Sequence, residues 1–91
     1  MVFSFSVSAG ILKGKITDRS GESLPFATVY VHGTTMGTSA NAMGEYQLQL
    51  PAGTYKIACQ YIGYRQSSLS LTIGADEKVQ YNFQLEDQGL Q

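Results

Sequence analysis

Apolar and polar residues alternate along most of this chain, with the two-residue period of a strand that buries one face. The clearest run is Gly44–Leu50, where Tyr46, Leu48 and Leu50 take one phase and Glu45, Gln47 and Gln49 the other. Ile11–Asp18 repeats the pattern, with Leu12, Gly14 and Ile16 set against Lys13, Lys15 and Thr17. Phe26–His32 places Ala27, Val29 and Val31 in one phase and Thr28, Tyr30 and His32 in the other. Thr54–Ile62 aligns Tyr55, Ile57, Cys59 and Tyr61, and Gln66–Ile73 aligns Leu69, Leu71 and Ile73. Lys78–Glu86 aligns Val79, Tyr81, Phe83 and Leu85, all expected to face inward. A short, weakly patterned stretch, Thr35–Asn41, completes seven strands. No apolar face at helical period extends over about ten residues.

Turn signals separate these runs. Asp18-Arg19-Ser20-Gly21 ends the first, and Pro25 precedes the second, where a missing amide hydrogen is tolerated. Gly33 and Gly37 bracket a threonine pair, and Asn41-Ala42-Met43-Gly44 reads as a hairpin loop with positive φ at Gly44 or Asn41. Pro51-Ala52-Gly53 fits a tight reversal, and Gly63 breaks the phase so that a bulge there sets Tyr64 on a rim. Short strands at this spacing predict an all-β fold, a seven-stranded antiparallel Greek-key β-sandwich.

Ninety-one residues make one domain. Six Lys and Arg against seven Asp and Glu, without a basic run, leave no cationic stripe for nucleic acid. The single cysteine, Cys59, excludes an internal disulfide and falls in the buried phase as a core thiol. With His32 the only histidine, no zinc-ligand spacing exists, and no serine sits in a nucleophile elbow. Asp76-Glu77 lacks the alternating oxygen ligands of a calcium loop, and the glycines form no phosphate loop. No catalytic residue, metal or cofactor is therefore expected. A Lys–Asn isopeptide crosslink would have to use Lys13 or Lys15 with Asn82 and Glu45; all lie on outward phases, where a low-dielectric cluster does not form.

No segment is long enough to cross a membrane as a helix. Val7-Ser8-Ala9 has the small-x-small form of a signal-peptidase site. Residues 1–10 accordingly read as a signal-peptide remnant or an N-terminal extension, 11–86 as the sandwich, and 87–91 as a tail or the start of a linker.

Several motifs agree in order and spacing: Gly14-Lys15-Ile16-Thr17-Asp18, Gly21, Leu24-Pro25-Phe26-Ala27-Thr28-Val29 and Gly33-Thr34-Thr35-Met36-Gly37-Thr38. They continue through Asn41, Gly44-Glu45-Tyr46, Leu48, Leu50-Pro51-Ala52-Gly53-Thr54-Tyr55 and Tyr61-Ile62-Gly63-Tyr64. The series resembles the carboxypeptidase-regulatory-like domain, a transthyretin-like sandwich, over about Ile11 to Leu85. More narrowly, it is similar to the version in envelope proteins of Bacteroidetes, at the N-terminal side of SusC/RagA-like TonB-dependent outer-membrane receptors. The resemblance implies a non-catalytic accessory or protein-interaction domain of a larger cell-envelope protein. Its expected place is the periplasmic side of the outer membrane or the cell surface. Its expected partners are neighbouring domains of the same parent chain or a periplasmic or outer-membrane protein.

The residues expected to make such contacts are Tyr30, His32, Met36 and Tyr64, large side chains on outward phases or in a loop. The alternative is a carbohydrate-binding module. It requires Tyr30 and Tyr64, or another such pair, to line a cleft near Asn or Gln groups.

Overall fold

The computed structural model describes residues 9–87, and there the alternating runs become eight strands. These are β1 (Ala9–Asp18), β2 (Thr28–Val31), β3 (Gly37–Ser39), β4 (Glu45–Pro51), β5 (Gly53–Gln60), β6 (Ser67–Ile73), β7 (Lys78–Gln80) and β8 (Phe83–Leu85). Two four-stranded sheets face each other. One runs β3-β2-β5-β6, antiparallel throughout; in the other, β1 pairs with β4 on one side and with β7 and β8 on the other. The all-β sandwich expected from the alternation is the fold, and residues 1–8 and 88–91, with the terminal readings attached to them, lie outside the described residues.

Two details differ from the expectation. The last strand is two strands, and both pair with β1 in parallel, so the sheet containing β1 is mixed. Register is the same on either side of the break: Leu12 faces Val79, and Ile16 faces Phe83. Between them the chain presses on Gly14, where an added Cβ would lie 1.8 Å from the Tyr81 carbonyl oxygen. There the Asn82 side-chain oxygen takes the place of a ladder carbonyl and accepts from the Lys15 amide at 2.9 Å. The kink turns Tyr81 outward to 37 % exposure, although its phase predicts an inward side chain. Its carbonyl accepts the Tyr46 hydroxyl at 2.6 Å, which satisfies that buried phenol.

The second difference concerns Phe26, which does not open a strand. It sits in a Pro25–Phe26 turn at φ +66°, and β2 begins two residues later at Thr28.

Elsewhere the inward phases fill the space between the sheets. Leu12, Ile16, Val29, Leu50, Ile57 and Cys59 are fully buried, and Tyr46 and Phe83 meet with ring centroids 5.7 Å apart. Each large side chain so buried stabilises the fold by about 1.5–3 kcal/mol before entropy is counted. The outward members of β4, Glu45, Gln47 and Gln49, are exposed as their phase requires.

Candidate binding groove at one end of the sandwich

Strand register decides which loops meet. Thr28, the first residue of β2, lies beside Ser39 of β3 and Gln60 of β5, and Ser67 of β6 lies beside Cys59. The connections at 24–27, 40–44 and 61–66 therefore emerge together at one end.

Each of these connections contains a tight turn with a large apolar residue at its corner. Pro25 fixes φ for the first position of its turn, and Phe26 follows at positive φ, where a type II turn ordinarily holds glycine. Its side chain is 66 % exposed. In the 61–64 turn the Tyr64 amide donates to the Tyr61 carbonyl at 3.0 Å and Gly63 takes φ +83°, leaving Ile62 at the corner. This is a closed turn and not the bulge expected at Gly63. Ile62 is 91 % exposed. In the 41–44 turn the Asn41 side-chain oxygen accepts the amides of Met43 and Glu45 at 2.9 and 3.0 Å, and Gly44 has φ +78°. Met43 stands exposed at its corner. The Phe26 amide donates to the Asn41 carbonyl at 3.3 Å, joining the first and last of these turns.

Between Phe26 and Ile62 lies a groove of about 570 Å³. Its apolar walls are Phe26, Tyr61, Ile62 and Tyr64; its polar groups are Thr28, Gln60 and Gln66, and no charged side chain lines it. The Tyr61 and Tyr64 rings are tilted against each other at 5.6 Å. Desolvation, followed by the nearby carboxylates of Asp18 and Asp87, raises the Tyr64 phenol above its ordinary pKa.

Thr28 and Gln60 also belong to a shallower depression containing Tyr30 and Met36. There Tyr30 stands between Gly37 on β3 and Ala58 on β5. Ala58 is on the outward phase yet only 1 % exposed, and Tyr30 is its register partner on β2.

Of the four residues singled out from the sequence, Tyr30 and Met36 share this depression and Tyr64 lines the adjoining groove. His32 is exposed in the 31–34 turn at the opposite end, its amide donating to the Lys56 carbonyl at 2.8 Å. Reading by phase alone overlooked Phe26, Ile62 and Gln60. The signal for the first two was an apolar residue at a turn corner, after Pro25 and before Gly63. Of the glycines assigned to turns, Gly21, Gly33, Gly44 and Gly63 have positive φ, whereas Gly37 and Gly53, like Pro51, do not.

The remaining chemistry is quiet. Lys13, Lys15, Glu45 and Asn82 surround one open groove, but all four are exposed, so no desolvated cluster exists to drive a crosslink. Burial pushes the Cys59 thiol up to about 12, which holds it protonated and unreactive at neutral pH. Among the described residues no three of His, Cys, Asp and Glu come together as a metal site. Also among them, no helix is long and apolar enough to cross a membrane.

The family described as the CarboxypepD_reg-like domain matches residues 12–91. Comparison with curated proteins gives no match. Among solved structures, a chain of a type II cohesin–X-dockerin complex from Acetivibrio cellulolyticus superposes with a TM-score of 0.69 at 16% identity. That match covers 85% of this chain and 57% of the other. The Bacillus anthracis TIE protein gives a TM-score of 0.70 at 19% identity, over 88% of this chain and 17% of that one. A catechol 1,2-dioxygenase mutant from Acinetobacter radioresistens gives 0.73 at 10% identity, over 91% and 53%. At such identities the likeness is one of fold, and the chain spans little more than half the length of these proteins or less.

Proposed function

Because the chain belongs to the non-catalytic CarboxypepD_reg-like domain family, we propose that it is a binding module whose groove at the apolar end takes a neutral glycan. The observation that carries this reading is the composition of the groove: aromatic walls, amide and hydroxyl groups among them, and no charge. Sugar rings present apolar C–H faces to aromatic side chains and hydroxyls to amides, so both halves of the lining have a partner. The cleft-lining aromatic set is Phe26, Tyr61 and Tyr64 with Gln60 and Gln66, in place of Tyr30 paired with Tyr64. Tyr30 lies one depression away, and the shared Thr28 and Gln60 let a chain longer than one sugar reach it.

The test is titration with soluble neutral polysaccharides, β-glucan, xyloglucan and amylose, followed by amide chemical shifts. Shifts gathered at 26–28 and 60–66, weakened about tenfold or more by Tyr64→Ala, support the reading. An absence of shift or heat with all three sugars removes it.

A second reading places the same end against protein. Ile62 is almost wholly exposed, more than a sugar groove requires and typical of a residue that a partner covers. The cohesin–X-dockerin neighbours come from a protein–protein complex on a similar sandwich. On this reading the domain is an accessory of a larger cell-envelope protein, of the kind that includes TonB-dependent outer-membrane receptors. Its partner is then a neighbouring domain or a periplasmic protein. An immunoblot of fractionated native cells separates the two: a much larger band in the outer-membrane fraction favours the accessory role, and a free species near 9.9 kDa removes it.

A further inference from the structure

Sheets end in edges, and an edge strand carries unpaired amides and carbonyls that invite another strand. Three of the four edges here are blunted. β3 has three residues, β7 and β8 have three each and are broken at Tyr81–Asn82, and β4 carries Glu45 at one end and Pro51 at the other. The fourth edge, β6, has the sequence Ser-Ser-Leu-Ser-Leu-Thr-Ile, seven residues without charge, proline or glycine, which among the described residues pair on one side only, with β5.

A second observation singles out the same edge. The inward residues of β4 are sealed, with Tyr46, Leu48 and Leu50 all buried. Of the inward apolar residues of β6 only Ile73 is; Leu69 and Leu71 are half-buried at the margin of the core, together with Tyr55 opposite Leu71 and Val79 on β7. Among the described residues the sandwich is thus open along β6 beyond its start, where the Arg65 amide donates to the Glu86 carbonyl at 2.8 Å, and Leu69 and Leu71 lie only partly covered beneath an unpaired backbone edge.

We propose that this edge pairs with the β6 edge of a second copy, antiparallel about a two-fold axis, joining the two sheets into one of eight strands. No charge on the edge opposes self-pairing. Across a two-fold axis each residue near the axis meets its own copy, so any charge there meets the same charge. The outward residues Ser68, Ser70 and Thr72 carry none. The nearest charge is Lys56, opposite Ser70 on β5. In the pair, two Lys56 side chains stand three strand spacings apart, roughly 14 Å. That exceeds the Debye length of about 8 Å in physiological salt, so their repulsion is screened. Serine and threonine rows facing each other can exchange hydroxyl hydrogen bonds, as Thr54 and Thr72 already do at 2.9 Å within one copy.

The experiment is sedimentation equilibrium of the chain from micromolar to millimolar concentration, with Ser70→Lys and Ser70→Glu as variants. Ser70 is exposed at the middle of the edge, so either charge leaves the fold intact, as the amide spectrum would verify. The parent chain should dimerise, each variant alone should dimerise at least tenfold more weakly, and an equimolar mixture of the two should recover a heterodimer. A parent chain that stays monomeric at millimolar concentration overturns the proposal. So does a dimer equally strong in both variants, which would place the contact elsewhere.

Discussion

The two ends of the sandwich are built from the same kind of turn and differ in what stands at the corners. At one end the corners are Phe26, Met43 and Ile62, each strongly exposed. At the other they are His32 and Gly33 in the 31–34 turn, Ala52 between β4 and β5, and Ala75 and Asp76 in the 74–77 turn. Small and polar corners are what a turn needs for its own conformation. Large apolar corners serve no such need, since they gain little burial and leave apolar surface in water. The polar positions surrounding them include the Arg19–Glu86 pair at 3.7 Å and the Asp18 carboxylate, which caps the amides of Ser20 and Glu22. An apolar centre within a polar rim is the anatomy of a recognition surface. On the proposed reading, one end of this domain is shaped by folding alone and the other by folding and contact together.

The largest effect that sharpens this comparison involves a glycine at each end. Gly44 and Gly33 both have positive φ, +78° and +80°. A side chain at Gly44 also meets the Ile16 carbonyl oxygen at 2.8 Å and Ser23 Cβ at 3.1 Å, whereas one at Gly33 meets nothing within 4 Å. Gly44→Val combines backbone strain with overpacking and should cost about 3–4 kcal/mol. Gly33→Ala bears the strain alone and should cost about 1 kcal/mol. Thermal melts of the two variants measure the difference. Equal shifts would mean that the apolar end is no more tightly braced beneath its corners than the other.

How much of this was legible beforehand follows the same division. The inward phases of β1, β2, β4 and β5 could be read directly, because burying one face of a strand forces period-two alternation. The 41–44 turn was legible as well, since Asn41 and Gly44 are the residue types that such a turn requires. Phase failed at Tyr81 and Phe26, where the backbone departs from regular strand for local reasons. At Tyr81 a side-chain oxygen from Asn82 replaces a ladder carbonyl; at Phe26 a Pro-led turn replaces the start of a strand. The groove was hidden for a further reason: it is assembled by loops distant in sequence, and only sheet register reveals that they share an end.

Phe26 offers a sharper test, because its contributions to stability and to binding oppose each other. Holding a non-glycine residue at positive φ costs roughly 1–2 kcal/mol. Replacing it with glycine relieves that strain but adds about 0.5–1 kcal/mol of unfolded-state entropy. The exposed ring gives up little burial, so Phe26→Gly should leave stability unchanged or raise it by about 0.5 kcal/mol. The corresponding rise in Tm is a few degrees, roughly 2–4 °C for a domain of this size. In the same variant the glycan-induced shifts at the groove should weaken. A loss of several degrees would show that the ring supports the fold, and the apolar end would then lose its strongest mark of being built for contact.

The smallest expected effect is at Ile62, and its smallness is the point. The side chain is 91 % exposed, and the 61–64 turn is closed by the Tyr64 amide and by Gly63, neither of which involves the isoleucine side chain. Ile62→Ser should therefore move the folding free energy by no more than about 0.5 kcal/mol in urea melts. The matching substitution at the opposite end, Ala75→Ser, should be equally silent in folding. The two should part only in recognition: Ile62→Ser should weaken whatever the groove binds, and Ala75→Ser should leave it untouched. If both leave binding unchanged while Tyr64→Ala abolishes it, the ligand sits deeper between the tyrosines and the exposed corner belongs to a separate contact. If Ile62→Ser instead destabilises the fold as much as a core truncation would, the corner is a structural element, and the contrast between the two ends disappears.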